Sequence, residues 1–391
     1  MHAAPTKEKD RIVALDIIRG IAILGIFLVN IPSFFSPVLY IEQHTYWSKT
    51  LDLWTISFVD IIAQASFYTL FSFLFGYGFI LFTKRLEEKN LSVPKYFSKR
   101  LFLLLIFGCL HAFLIWHGDI LITYAITGFI LLIMRNISSK AMVWTGILLI
   151  VLPTLGLTLI LLMLLAVMDG DLQMYEELQL YAIQSLEIYA HGSFMDITKQ
   201  RVQDWSFVNL GNGVFIILSV LPMFLFGAAA AKGNWLRKVE EKLGLLKKLW
   251  IVTLLLTLVF KLLPYYTDKN LVTEYIQDSL GGPASAIFYF LTVVLATRKE
   301  IGLRILAPFK YVGKMSLTNY IFQSVVCTLL FYSYGFGLYG DFNPFNGLIL
   351  VLAVFVAQIL LSKWWLSHFH YGPLEWLWRI GTYGKRSTFK K

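Results

Sequence analysis

Apolar residues recur in long runs over almost the whole chain, at roughly 14–36, 57–83, 100–117, 119–134, 141–168, 207–231, 249–264, 283–297, 316–335 and 346–366. A helix that spans a bilayer takes about 20 largely apolar residues, with a range of about 17–25. The runs lack strand alternation, and lipid admits only helices or closed barrels, so each run predicts a helix. The pattern predicts an all-α, polytopic membrane protein of about ten transmembrane helices, one integral membrane domain over 1–391. A four-helix part spans 1–135, an outer loop 169–206 and a C-terminal part 207–391.

The polar stretches between the runs set the orientation. Lys7, Lys9 and Arg11, the loop 84–100, Arg135 with Lys140, the stretches 232–248 and 298–314, and the tail from Lys363 are basic, and they alternate with poorly basic loops. By the positive-inside rule both termini face the cytoplasm, and 169–206 faces out. That outer segment has apolar residues at mixed helical spacing, which predicts a short amphipathic helix across the outer mouth. The aromatic stretch 371–383 reads as an interfacial helix.

Composition agrees and narrows the class. Of 391 residues, 57% are hydrophobic and only 15% charged, where a soluble domain carries about 25% charged residues. Mean hydropathy is +0.67. Soluble enzymes, disordered chains and fibrous proteins are excluded. The formal charge of +10 follows the loops on one side of the membrane, so its partner is the lipid bilayer and not nucleic acid. Cys109 and Cys327 sit inside apolar runs without neighbours at metal or disulfide spacing, which makes them packing residues. The first run lacks a small-residue cleavage site and reads as a retained helix.

Ionisable groups inside a bilayer are costly and need a partner or a wet cavity. Asp16 and Arg19 lie three apart on one face of the first helix, as an ion pair or with Arg19 turned to a phosphate or carboxylate. The limbs 100–117 and 119–134 are each about 25 Å long, against about 30 Å of hydrocarbon. The tip Trp116-His117-Gly118-Asp119 is therefore recessed, with His111 deeper, in a pocket open outward. His111 there is a candidate general base and Asp119 its orienter, or the two form a structural knot between helices. No cluster has metal-ligand spacing. Ser316, Asn319, Gln323 and Cys327 form a polar stripe, for interhelical hydrogen bonds or for lining a passage. Gly20, Gly25, Gly76 and Gly78 permit close helix contact.

Residues 11–30, RIVALDIIRGIAILGIFLVN, resemble the opening of the YeiB-like family of bacterial inner-membrane proteins. Four further blocks in the same order strengthen the likeness: 70–76 (LFSFLFG), His111 with 115–121 (IWHGDIL) and Tyr124, 313–320 (GKMSLTNY) and 372–379 (GPLEWLWR). The Leu-Asp-x-x-Arg-Gly pattern is similar, more distantly, to membrane acyltransferases such as the heparan glucosaminide N-acetyltransferase group. That similarity implies an acyl-transfer histidine in a His-x-x-Trp context, which His44-Thr45-Tyr46-Trp47 matches, and an acid where Asp60 stands.

The expectation drawn from residues and resemblance together is a bacterial cytoplasmic-membrane acyltransferase. Its donor is a cytoplasmic acyl-CoA as co-substrate, and its acceptor a small-molecule or cell-envelope group in the outward pocket. His111, Asp119 and His44 are the candidate catalytic residues. Asp16, Arg19, Asn30, Asp60, Trp116, Asn319 and Gln323 are the candidate substrate contacts. The alternatives are a permease for a small amphipathic solute, with His111 and Asp119 carrying protons, and a membrane signalling or assembly component without turnover.

Overall fold

In the computed structural model the described residues are 12–167, 172–384 and 388–391. Lys7, Lys9 and Arg11 of the leader, and 168–171 of the outer segment, lie outside them. Eight helical stretches among the described residues are long and apolar enough to cross a bilayer, and two shorter apolar helices accompany them, Leu121–Asn136 and Ser316–Phe331. The ten apolar runs therefore become eight full-length stretches and two short ones. The chain is an all-α polytopic membrane protein.

The principal helices are α1 (Val13–Asn30), α2 (Thr50–Ile62), α3 (Ser66–Glu87), α4 (Val93–Leu110), α5 (Leu121–Ile133), α6 (Ser139–Val167) and α7 (Leu172–His191). They continue with α8 (Phe194–Lys232), α9 (Leu243–Lys261), α10 (Gly282–Ala296), α11 (Phe309–Lys314), α12 (Ser316–Phe331), α13 (Pro344–His368) and α14 (Pro373–Tyr383). Central α1 packs against α3, α11 and α12. In its spanning window 61% is buried, against 6% for α6 and 11% for α9, which therefore face lipid. Helix α8 crosses α3 at close range. A Cβ on Gly76 would run into the Phe224 carbonyl, and one on Gly227 into that of Phe73. Gly78 has a different use, since it leaves space beside Arg19.

Two departures from the sequence pattern matter for the site. The run at 57–83 is a bent pair, α2 and α3, because Ala65 takes a left-handed φ of 56°. Backbone groups freed inside a bilayer need internal partners, and the Lys261 ammonium takes the Gln64 carbonyl at 2.9 Å. The run at 207–231 begins earlier, at Phe194, behind a capping box in which Ser193 and Asp196 exchange hydrogen bonds. The outer segment is thus α7 plus the first turns of α8, which is more helix than the sequence pattern predicts.

Of the two hairpin limbs expected to be short, only the second is: the first belongs to the full-length stretch Val93–Leu114. Helix α4 ends in a π turn, His111–Ile115, and irregular backbone leads to α5. The 13 residues of α5 rise only about 20 Å, well short of about 30 Å of hydrocarbon. The tip is buried: Trp116, His117 and Asp119 are each under a tenth exposed.

Candidate functional site

The π turn of α4, the hairpin tip and α12 meet at His111. Its Nδ1 lies 2.8 Å from Asp119 Oδ1, and its Nε2 lies 2.9 Å from Ser324 Oγ. The other oxygen of Asp119 accepts the Ile122 amide at 2.8 Å, so the carboxylate also caps the first turn of α5. A carboxylate only accepts, so Nδ1 carries the proton and Nε2 offers its lone pair to Ser324. His111 and Ser324 are each 1% exposed. This is a Ser–His–Asp chain, the arrangement that makes a serine hydroxyl nucleophilic and a histidine a base.

A cavity of about 270 Å³ adjoins the pair and is lined by Asn30, Ser33, Tyr68, Trp116, His117, Asp119 and Tyr320, among others. Trp116 and Tyr320 form the wall between cavity and triad. Their rings lie 6.1 and 5.0 Å from that of His111, centre to centre, and the Tyr320 hydroxyl is held by the Gly118 carbonyl at 3.1 Å. A second polar network covers the tip. His117 takes Ser33 at Nε2 (3.2 Å), and Asp204 stands 3.6 Å from its Nδ1. Asp204 accepts from Tyr40 (2.7 Å), Tyr189 (2.6 Å) and Gln200 (2.7 Å). Residues 189–204 therefore pack on the hairpin tip, held by the Asp204 carboxylate and by Arg201, which donates to the Phe113 carbonyl at 3.2 Å.

A second cavity, also about 270 Å³, opens at the basic end of the bundle. Arg19, Arg85, Lys89, Arg100, Arg237, Lys314 and Arg379 line it, with Asp16 and Glu375 as the acids among the described residues. Asp16 pairs with Arg19 at 3.1 Å. The Arg100 guanidinium lies over the Trp378 ring at 3.6 Å, so α14 closes one wall. Glu375 receives the Leu317 and Thr318 amides and the Thr318 hydroxyl, which pins α14 to the start of α12. Burial pushes the Glu375 carboxyl above its usual range, and those hydrogen bonds oppose the shift. Among the described lining residues cations outnumber acids, a chemistry that suits a multiply charged anion.

The two cavities nearly meet along shared helices. Tyr68 lines the one beside His111 and Phe71 the basic one, on α3; Tyr320 and Ser316 do the same on α12. Four residues of α12 rise about 6 Å.

The remaining candidates fall elsewhere. Asn319 bonds to the Val312 and Met315 carbonyls and to Ser362, and Gln323 to Gln358, so they lock α12 to α11 and α13. Neither is among the residues lining the two cavities. Of the two readings of that stripe, the interhelical one describes what these residues do. Asp60 accepts from Tyr265 and Gln277 at 2.8 and 2.9 Å, beside the break that Lys261 stabilises. His44 sits on a four-residue helix, Gln43–Tyr46, and its buried Nε2 has no hydrogen-bond partner among the described residues. His44 and Asp60 thus belong to neither the triad nor its cavity. Sequence reasoning missed Ser324 and Asp204. The stripe offered a signal for Ser324, which follows Gln323 directly; Asp204 lay in a segment read as a loop.

Comparison with known proteins places this arrangement in a family. Residues 230–385 match the model described as Protein of unknown function (DUF418). The chain is 36% identical to the Uncharacterized protein YxaH of Bacillus subtilis (strain 168), over 97% of its own length and 96% of that protein's. It is 31% identical to the Uncharacterized protein YeiB of Escherichia coli (strain K12), over 95% and 96% of the two chains. The two relatives match over nearly the whole chain, so it belongs to the YeiB-like, DUF418 family.

Proposed function

We propose that this protein is an acyltransferase of the bacterial cytoplasmic membrane, with both termini inside. The basic end faces the cytoplasm by the positive-inside rule, and the hairpin tip faces out. The donor is a cytoplasmic acyl thioester of the acyl-CoA type, whose phosphates suit the arginine-rich cavity. The acceptor is a hydroxyl or amine in the outer cavity. His111 takes a proton through Nε2, and Asp119 fixes the tautomer and steadies the imidazolium that forms.

One observation carries this reading: an arginine-lined cavity and a histidine–aspartate pair with its own cavity are lined by the same helices, with their lining residues on α12 about one turn apart. An extended acyl arm held by its charged head can bridge a partition that thin. The same two cavities also favour a second reading, a permease whose partition is its gate.

Ligand binding to the folded state raises its stability with concentration. CoA and short acyl-CoAs are expected to raise the melting temperature of the detergent-purified protein in that way. Arg19→Ala and Arg237→Ala should each weaken the shift. No stabilisation up to millimolar CoA turns the assignment to the permease.

A further inference from the structure

We propose that Ser324 is the nucleophile of this site, and that transfer proceeds through an acyl-serine held inside the membrane. The proposal rests on the acyltransfer reading for its donor, but its geometry stands alone. Hydroxyls inside membrane helices ordinarily bond to the carbonyl four residues back. Thr69 does so to Ala65, Ser72 to Tyr68 and Ser285 to Gly281. Ser324 instead reaches across to α4 and meets His111 Nε2 at 2.9 Å. The imidazole that receives it is oriented on its other nitrogen by Asp119 at 2.8 Å, and Asp119 is itself fixed by a backbone amide. A hydroxyl, a base and an orienter in series make an activated nucleophile, recognised by geometry and independent of chain order.

The surroundings fit a transferase better than a hydrolase. Both reacting side chains are 1% exposed, and a site closed to water protects a reactive intermediate. The Trp116 indole N–H is buried without a partner among the described residues, on a ring already against His111. It is a donor for the oxyanion.

In the first half-reaction Ser324 Oγ bonds to the thioester carbonyl carbon, and its proton passes to His111 Nε2. Collapse breaks the carbon–sulfur bond, and the departing thiolate takes that proton. In the second, the acceptor hydroxyl or amine attacks the acyl-serine and gives its proton to Nε2. That proton returns to Ser324 Oγ as the ester bond breaks. The acyl group enters and leaves between Trp116 and Tyr320.

The test is covalent capture in the intact detergent-purified protein. A fluorophosphonate probe and, separately, a short acyl-CoA are each followed by peptide mass spectrometry. Each should leave one adduct, on Ser324, absent in Ser324→Ala and reduced at least tenfold in His111→Gln. No Ser324 adduct with either reagent, or wild-type CoA release by Ser324→Ala, overturns the nucleophile. The latter result leaves acyltransfer standing, with His111 acting on the acceptor directly. A fluorophosphonate adduct on Ser324 in a protein that neither binds nor turns over acyl-CoA keeps the nucleophile and removes the CoA donor.

Discussion

His111 and His44 are both histidines with an acid near them in the sequence, and the structure gives them opposite surroundings. His111 is enclosed by three elements, and both ring nitrogens are engaged, by Asp119 and Ser324. His44 is half-buried on a short helix, its Nε2 has no partner among the described residues, and Asp60 is committed to Tyr265 and Gln277. A general base needs its tautomer chosen for it, and only a hydrogen bond on the other nitrogen does so. The lesson is that a short motif can point to a histidine, while the orienting partner decides whether it works as a base.

The largest effect should come from the oriented histidine. A positioned base contributes roughly 10²–10⁴ in rate, and an orienting aspartate changed to asparagine costs about 10⁴ where the tautomer is lost. His111→Gln and Asp119→Asn are each expected to lower acyl-CoA turnover by about that much, measured as CoA release with melting temperature as the control. Wild-type turnover in Asp119→Asn would leave the pair as a structural knot.

A smaller effect should come from the cover. Asp204 accepts from Tyr40, Tyr189 and Gln200 at once. A buried donor left unsatisfied costs about 1–3 kcal/mol. Asp204→Ala should therefore lower the melting temperature and loosen α7, seen as faster proteolysis within 172–193. Turnover should fall less than in Asp119→Asn, because the triad itself keeps its bonds. An equal loss would mean that the cover, and not the oriented base, sets the rate.

Much of this frame was legible in the chain. Lipid enforces helix on any long apolar run, and the brevity of 119–134 placed His111 and Asp119 below the surface before any geometry was known. The break at Ala65 was not legible, because no glycine or proline marks it and Lys261, which takes up the freed Gln64 carbonyl, is far along the chain. Ser324 was hidden by a helical angle. Asn319 and Gln323 turn to α13, while one residue on, about 100° around the helix, Ser324 turns to the hairpin. Helical periodicity groups residues by face but does not say which neighbour each face meets.

The smallest effect sharpens the comparison from the side of His44. Burial lowers its pKa from 6.5, and Lys269 lowers it further, while Glu42, Asp60 and Glu274 pull the other way. The folded protein therefore holds this proton less tightly than the unfolded chain. Acidification below about 6.5 favours unfolding at this position, and above that range the effect disappears. His44→Gln removes the titration, so between about pH 7 and pH 5 its melting temperature should fall slightly less than that of the wild type. Turnover at neutral pH should stay within about twofold, since a base without an orienter supplies little of the expected roughly 10²–10⁴. A hundredfold loss in His44→Gln beside intact turnover in His111→Gln would reverse the assignment and make the His-x-x-Trp motif the reactive one. Equal losses in both would mean that the two histidines act in one reaction, with the acceptor path running from the loop before α2 to the hairpin.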